Sequence, residues 1–194
     1  MTISLVTGGS GFIGRHLIDQ LVAGGETVRI LDLEPPAKRH ADLAFIQGSV
    51  TDRKIVREAA DGVDHLYHIA AIPHLWIPDP SMYEETNVVG TRVIFEEALA
   101  AGVERVVHTS SATVLIDDMI GRAPMTLDET YQARENRLAG HYARSKWRAE
   151  QVALGYADRL PVVVVMPTVP LGPGDRHFTP PGRMLLDFAS GNAR

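Results

Sequence analysis

Two clusters of residues in this sequence have the types and the spacing that could do chemistry. In the first, Tyr142 and Lys146 stand four residues apart in the run Tyr-Ala-Arg-Ser-Lys, and this spacing puts both side chains on one face of a helix. A free tyrosine has a pKa of about 10, so a phenol that acts as a base near neutral pH needs a cationic neighbour. A Tyr/Lys pair at this spacing also arises by chance in most helices, so it gains weight only from a second cluster.

The second cluster is a glycine-rich turn near the N-terminus, where a short apolar run ends in Thr-Gly-Gly-Ser-Gly-Phe-Ile-Gly. A side chain at Gly8 or Gly11 would hold the backbone away from a pyrophosphate, and Gly14 lets the next helix pack closely on the strand. The helix predicted from about Phe12 directs its first N–H groups at the phosphates. An ordinary strand-to-helix turn can carry the same glycines, but a second strand-like run ends at Asp32, near the distance expected for a ribose ligand. Together these features predict a dinucleotide site.

The elements that must position these residues alternate between strand and helix. Apolar runs predict a first strand from Ile3 and further strands at residues 27–31, 43–47, 65–69, 103–109 and 161–166. Periodicity and capping residues predict helices from Phe12 to the glycines at 24–25, from Thr51 or Asp52 onward, and at 82–101, 141–156 and 183–189. The four valines of the last strand predict that it is buried. The alternation predicts an α/β fold, a doubly wound parallel sheet (a Rossmann fold) with helices on both faces.

The composition excludes several classes of function. With 194 residues, 45% of them hydrophobic, the chain can bury one sizeable core, and its formal net charge of −5 offers no basic footprint for nucleic acid or an anionic membrane. The absence of cysteine excludes disulfides and cysteine catalysis. His65 and His68 point to opposite faces of a strand, so no metal site is expected. The chain enters its first strand at once and has no apolar run that could span a bilayer, which predicts a cytoplasmic protein.

Further motifs accompany the two clusters. A Thr-Gly-x-x-Gly-x-x-Gly turn that ends at Gly14, a His-x-Ala-Ala run from His68, an Asn-Val-x-Gly-Thr run from Asn87 and the Tyr-x-x-x-Lys pair occur in this one chain. With these motifs the sequence resembles the extended short-chain dehydrogenase/reductase family of NAD-dependent epimerases and dehydratases over essentially its whole length. The resemblance implies NAD as the cofactor and a small molecule as the substrate.

The resemblance also implies a role for individual residues. Tyr142 is the implied catalytic base, Lys146 lowers its pKa and binds the ribose, and Ser111 orients the substrate oxygen, with its neighbour Ser110 ranked second. The implied cofactor contacts are Gly8, Gly11, Phe12, Ile13, Gly14, Asp32, Ser49, Val50, His68, Ala70, Ala71, Asn87, Thr109, Tyr142, Lys146 and Pro167.

The residue at the end of the second strand predicts which cofactor is preferred. Asp32 can accept hydrogen bonds from both ribose hydroxyls but would repel a 2′-phosphate, so NAD is expected over NADP. Lys38 and Arg39 lie too far along a loop to be phosphate ligands. Ser49 stands where many relatives have an aspartate that holds the adenine amino group.

Residues 74–80, 172–175 and 179–183 resemble, more narrowly, the hopanoid-associated sugar epimerases, a subgroup that is also similar to dihydroflavonol reductases. Leu115 and Leu171 stand where many sugar epimerases have tyrosine, and Met166 where they often have arginine. The implied reaction is reversible hydride transfer on a sugar or a related hydroxyl or carbonyl substrate. An NADPH-dependent ketone reductase and a dinucleotide-sensing module without turnover are the alternatives.

Two expectations concern the surface. Trp76 either lines the mouth of the substrate site or covers the sheet edge. Relatives of this kind pair through two helices, so the positions of Ile94, Ala98, Tyr142 and Ala149 are expected to contain a homodimer face. The alternative is that these apolar positions face only the sheet.

The expected domain organisation is a nucleotide-binding Rossmann domain at residues 1–170, followed at 171–194 by the start of a truncated substrate-binding lobe. Relatives continue for about another small domain beyond this point. The expectation is a cofactor domain that binds NAD but has little or no turnover by itself, as a truncated product or as part of a longer chain.

Overall fold

A computed structural model describes residues 2–37, 43–117, 127–128, 130–131, 133–176 and 179–192 of the chain. The strands are β1 (Ile3–Thr7), β2 (Thr27–Asp32), β3 (Leu43–Gln47), β4 (His65–His68), β5 (Arg105–Thr109) and β6 (Val162–Val165). They form one sheet in the order β3-β2-β1-β4-β5-β6, and every neighbouring pair is parallel. This order is that of a doubly wound Rossmann sheet, so the predicted fold class is confirmed.

The helices lie in the predicted places, with small differences at their ends. They are α1 (Phe12–Ala23), α2 (Arg53–Ala60), α3 (Ser81–Tyr83), α4 (Gly90–Ala101), α5 (Gly140–Leu154) and α6 (Pro180–Ala189), and 3₁₀ turns lie at Ala112–Leu115 and Glu135–Arg137. Of the two candidate caps for α2, Asp52 is the one observed, because its carboxylate accepts the N–H groups of Lys54 and Ile55.

Separate apolar cores lie on the two faces of the sheet, as a doubly wound fold requires. On one face α1 packs Ile18 and Leu21 against strand residues that include Val6 and Ile30. The larger core lies on the other face, where α2, α4 and α5 cover the sheet with side chains that include Val56, Ile94, Phe95, Ala98 and Ala153.

The prediction that the sixth strand is buried is wrong. Val163 is 46% exposed and Val165 is 39% exposed, whereas the alternating residues Val162 and Val164 are partly buried. β6 is the edge strand of the sheet, and α5 packs on one side of it only. The side chains on the other side join no apolar core in the described part of the chain. An uninterrupted valine run cannot distinguish an edge strand from a central one.

The helix predicted over residues 82–101 is one helical segment with a change of winding inside it. A π-helical stretch, Glu84–Val89, separates α3 from α4. A Cβ at Gly90 would lie 2.6 Å from Val50 Cγ2, so glycine lets the helix pass close to the loop after β3. π-Helical turns are frequent at functional sites, and this one contains Asn87.

Of the four residues named for the expected homodimer face, Ile94, Ala98 and Ala149 are fully buried inside the single chain, and Tyr142 is partly buried. Three of the four positions therefore belong to the monomer core, and a homodimer stays a prediction. Among the described residues, no helix is both long and apolar enough to cross a membrane.

Candidate nucleotide and catalytic site

The glycine turn after β1 has room for backbone atoms only. Gly8 has a φ of 69°, and a Cβ there would lie 2.7 Å from the backbone nitrogen of Ala70. A Cβ at Gly14 would overlap the carbonyl oxygen of Gly8 and lie 2.7 Å from Cα of Gly9. The first turn of α1 therefore packs directly on the turn that precedes it, which requires glycine at both positions.

The N-terminus of α1 is open to an anion. Gly11 is the N-cap residue, and no side chain of the described residues accepts a hydrogen bond from the first N–H groups of the helix. The amides of Phe12 and Ile13 and the positive end of the helix dipole therefore point at the space above the turn. Asp32 borders this space, since its Oδ2 accepts the N–H of Ser10 at 2.9 Å.

Other predicted contact residues follow the carboxyl ends of neighbouring strands. Ser49 Oγ lies 2.8 Å from Thr51 Oγ1 in the loop after β3, and the side chain of Val50 is buried beside α4. Ala70 and Ala71 follow β4 and are partly buried. The carbonyl of Pro167, after β6, accepts the N–H of Ala112 at 3.0 Å. The structure brings these segments to the same edge of the sheet as the glycine turn.

His68 lies beneath this edge and not on its surface. The ring is 1% exposed, its Nδ1 lies 2.7 Å from Thr7 Oγ1, and its Nε2 lies 2.9 Å from Thr91 Oγ1. The Thr91 hydroxyl donates to the carbonyl of Asn87 at 2.6 Å, so Nε2 carries the proton and Nδ1 accepts from Thr7. Burial, with a contribution from Lys146, lowers the pKa of His68 to about 3. The neutral ring of His68 therefore connects β4 to β1 and to α4. It is not open to a ligand.

Asn87 is buried as well, and it connects two loops of the site. Its Oδ1 accepts the N–H of Ile72 at 2.8 Å, and its Nδ2 donates to Ser145 Oγ at 2.9 Å. Ser145 in turn donates to the carbonyl of Tyr142 at 2.8 Å. The side chain predicted as a cofactor contact thus fixes the loop after β4 against the first turns of α5.

The predicted catalytic residues meet at the ends of β5 and α5. Lys146 is buried, and its Nζ donates to the carbonyl of Thr109 at 2.8 Å. Burial raises the pKa of Tyr142, and the hydrogen bond with the Ser111 side chain opposes that rise. Burial, Ser111 and Tyr83 are the groups that shift this pKa, and the effect of Lys146 on the phenol stays a prediction.

The two adjacent serines have different partners. Ser111 reaches Tyr142 and also caps the turn that follows it, where Thr113 N donates to its Oγ at 3.3 Å. Ser110 donates to the carboxylate of Glu150 and is buried. Ser111, which the sequence ranks first, is thus the serine next to the Tyr142 phenol, and its catalytic role stays a prediction.

A second histidine, His108, is buried next to His68. Its ring is 1% exposed, lies 5.5 Å from the His68 ring and 6.1 Å from the Phe95 ring between centroids, and has no hydrogen-bond partner in the described structure. Burial lowers the pKa of His108 well below its usual value, with smaller contributions from Lys146 and His68.

Lowering the pH from 7 to 5 is expected to reduce the free energy of unfolding by about 2 kcal/mol for each of these two histidines. Both titrate near pH 6.5 when unfolded but stay neutral in the fold. Below pH 6.5 the unfolded chain therefore binds more protons, and stability falls with pH. Urea unfolding at the two pH values measures the loss.

The variant His108→Phe separates this effect from that of the carboxylates. It removes a titrating ring that makes no hydrogen bond within the described residues, and phenylalanine has a similar shape. The variant is expected to lose about 2 kcal/mol less than the wild type between pH 7 and pH 5. An equal loss in both proteins would mean that His108 is charged in the fold or accessible to water.

The remaining candidates lie away from the two clusters. Trp76 is 77% exposed, so it does not cover the sheet edge, and lining of the substrate mouth stays a prediction. Lys38 and Arg39 lie outside the described residues. Within the described ranges, no group of three or more potential metal ligands comes together. A surface cavity of about 450 Å³ is lined by Glu135, Asn136 and Arg144, none of which belongs to the predicted site.

Sequence reasoning missed several residues that support the site. Thr7 accepts the N–H groups of Ile69 and Ala70 at 3.3 Å each, and Ser10 connects the glycine turn to Asp32. Ser145 and Glu150, both on α5, were missed as well. Serine or glutamate near a motif is too common to single out, so the only available signal was their position beside the glycines or one turn from the lysine.

Comparison with known proteins identifies the family to which this chain is similar. Residues 4–191 match the model of the NAD dependent epimerase/dehydratase family. A putative dihydroflavonol 4-reductase of Synechocystis is 36% identical over 187 residues, which cover 94% of this chain and 53% of that protein. The chain spans about half the length of the curated relatives it matches.

Solved structures are similar over nearly all of the chain. The crystal structure of gox2253 has a TM-score of 0.85 and 36% identity, and the match covers 99% of this chain and 59% of that one. DesIV, a dTDP-glucose 4,6-dehydratase of Streptomyces venezuelae solved with NAD and TYD bound, has a TM-score of 0.82 and 29% identity, with coverage of 98% and 63%.

Proposed function

This chain belongs to the NAD-dependent epimerase/dehydratase family, and from that premise we propose that it binds NAD at the carboxyl edge of its sheet. We further propose that the protein acts on a sugar or a related hydroxyl or carbonyl substrate by hydride transfer, with Tyr142 as the base. The observation that carries the proposal is the hydrogen bond from buried Lys146, one helical turn from Tyr142, to the carbonyl of Thr109 at the same edge as the uncapped N-terminus of α1.

The residues present fit a dinucleotide. Gly8 and Gly14 let backbone segments pack closely at the turn, and the uncapped amides at Phe12 and Ile13 suit a pyrophosphate. The carboxylate of Asp32 at the end of β2 suits the hydroxyls of a ribose. These residues would hold the cofactor, and the residues after β4, β5 and β6 would line the rest of the site.

The chain's own groups supply the proton chemistry. When bound, the nicotinamide would accept or return a hydride. Tyr142 Oη would take the proton of the substrate hydroxyl, and Ser111 would hold the reacting oxygen. The phenol must first lose its own proton near neutral pH, so the raised pKa of partly buried Tyr142 has to be opposed by a positive charge. Buried Lys146, one helical turn away, is the residue that can supply that charge.

The domain division proposed is a nucleotide-binding unit at residues 1–170 and substrate-side residues from 171 onward. α6 carries exposed Met184, Leu185 and Phe188 and buries none of its own residues, which suits a role on the substrate side. A homodimer and a cytoplasmic location stay predictions, and sedimentation of the purified chain would measure the first.

A screen of alcohols, ketones and nucleotide sugars with a full-length version of the protein, monitored by NADH absorbance, tests the reaction. Oxidation of a hydroxyl or reduction of a carbonyl is expected for a member of at least one class. NAD binding without turnover of any of them would favour the sensing module, and turnover with NADPH only would favour the ketone reductase.

The variant Asp32→Ala is expected to lose its preference for NAD. The wild type should bind NAD more tightly than NADP, because the carboxylate accepts hydrogen bonds from the ribose and repels a 2′-phosphate. Losing charged hydrogen bonds should weaken NAD about tenfold to a hundredfold and leave NADP unaffected or tighter. Titration of both dinucleotides measures the ratio.

The matched control for this test is Glu34→Ala, which removes an exposed carboxylate two residues further along. It should leave the ratio of the two affinities unchanged. Tighter binding of NADP than of NAD by the wild type would contradict the assignment of Asp32.

A further inference from the structure

Glu150 has no part in the function proposed above, yet it is a buried carboxylate one helical turn beyond Lys146. Its side chain is 8% exposed, although a glutamate is rarely buried without a partner. Its Oε2 accepts a hydrogen bond from Ser110 Oγ, and Ser110 is buried too. A carboxylate on α5 is thereby joined to the chain segment that follows β5.

This segment, residues 109–111, contacts both residues of the proposed catalytic pair, Tyr142 and Lys146. The residue before Ser110 is Thr109, whose carbonyl accepts the hydrogen bond from Lys146 Nζ at 2.8 Å. The residue after it is Ser111, which contacts Tyr142. The hydrogen bond between Glu150 and Ser110 therefore lies midway between the two contacts that define the site.

We propose that Glu150 is a positioning residue: its carboxylate holds residues 109–111 in register with α5 and keeps the buried ammonium of Lys146 charged. The inference rests on the proposed function, because these positions matter for turnover only if Tyr142 and Lys146 act together. It also assigns Ser110 a different role from that of a second catalytic hydroxyl.

The charged groups around Lys146 support the proposal that Glu150 keeps the ammonium charged. Burial lowers the pKa of Lys146 to about 8, and Glu150 is the group among the described residues that raises it. His68 and His108, which face the lysine from β4 and β5, both have lowered pKa values and are neutral there. Tyr142 on α5 is neutral until it loses its proton. Burial raises the pKa of Glu150 itself, whereas the hydrogen bond from Ser110 and the charge of Lys146 lower it, so Glu150 is the negative group that acts on the ammonium.

Nuclear magnetic resonance of ¹³C-labelled lysine measures the titration of Lys146 directly. The chain has three lysines, Lys38, Lys54 and Lys146, so the signals can be assigned with Lys38→Arg and Lys54→Arg variants. Glu150→Gln keeps the size of the side chain and an oxygen that can accept from Ser110, but it removes the charge. The pKa of Lys146 is expected to fall below its wild-type value in this variant, and the alkaline limit of turnover should move down with it.

Ser110→Ala tests whether the hydrogen bond to Glu150 positions residues 109–111. It keeps the charge of Glu150 and removes the hydrogen bond, so the pKa of Lys146 should change little while turnover falls about tenfold. The matched control is Glu84→Gln. The carboxylate of Glu84 pairs with Arg148, which lies on α5 like Glu150, but both side chains of this pair are exposed. The control should change neither the lysine titration nor turnover.

Two results would overturn the proposal. One is a Lys146 titration in Glu150→Gln that coincides with the wild type, and the other is full turnover in Ser110→Ala. The lysine titration needs no cofactor, so its outcome is separate from that of the proposed function. A wild type that binds no dinucleotide would defeat the proposed function while leaving the titration to decide the role of Glu150.

Discussion

Replacing Tyr142 with phenylalanine is expected to lower turnover by about 10²- to 10⁴-fold while the affinity for NAD stays nearly unchanged. The phenol oxygen is the proposed proton acceptor, and it contacts Ser111 at the edge of the sheet. Its loss is felt in the transition state, because phenylalanine keeps the ring but cannot take a proton. Steady-state kinetics with a substrate from the screen, together with an NADH titration, measure the two quantities separately.

Tyr83→Phe is the matched control for this variant. The Tyr83 ring lies 6.2 Å from the Tyr142 ring between centroids, and its hydroxyl donates to the carbonyl of His74 at 2.7 Å. The control removes a buried phenol next to the site but not the proposed base, so turnover should stay close to the wild-type value. Retained turnover in Tyr142→Phe, or an equal loss of NAD affinity, would show that Tyr142 is structural.

The variant Gly14→Ala is expected to lose NAD binding and about 3 kcal/mol of stability. A Cβ at this position overlaps backbone atoms of Gly8 and Gly9, which have no flexible side chain that could move away. The first turn of α1 must therefore shift from the glycine turn, and the amides that would hold the pyrophosphate shift with it. At about 2–4 °C per kcal/mol for a chain of this size, the melting temperature should fall by roughly 10 °C.

Gly24→Ala provides the comparison at the other end of the same helix. Gly24 has a φ of −77°, which any residue adopts, and a Cβ there would lie 3.3 Å from the carbonyl of Leu21. This variant should change the melting temperature by only a few degrees and leave NAD affinity intact. If Gly14→Ala bound NAD as well as Gly24→Ala does, the pyrophosphate would not lie at the glycine turn.

The sequence was most informative where one residue type has no substitute. Gly8 and Gly14 are fixed by backbone contacts that exclude a Cβ, so their spacing alone predicts the turn and the first turn of α1. Asp52 caps α2 through its own carboxylate, another local interaction that a sequence pattern reveals. The parallel sheet also follows from the alternation of strands and helices, since helical crossovers connect parallel strands.

Interactions between distant residues were beyond the reach of the sequence. His68 belongs to a family motif, and nothing in the motif tells that its ring is enclosed by Thr7 and Thr91 from other elements. The exposure of Val163 depends on what covers the edge strand, and a run of valines carries no information about that. The proposed role of Glu150 depends on its hydrogen bond with Ser110, which lies 40 residues earlier in the chain.

The most direct test of the account is a map of backbone amide chemical shifts during an NAD titration of this chain. We expect one saturable set of changes, largest in the glycine turn after β1, in the first turn of α1, at the end of β2 and on α5, at residues Gly8, Gly11, Phe12, Ile13, Asp32 and Lys146. Changes confined to another surface, such as the cavity beside Glu135 and Arg144, would contradict it. An unchanged spectrum at saturating NAD would contradict it as well.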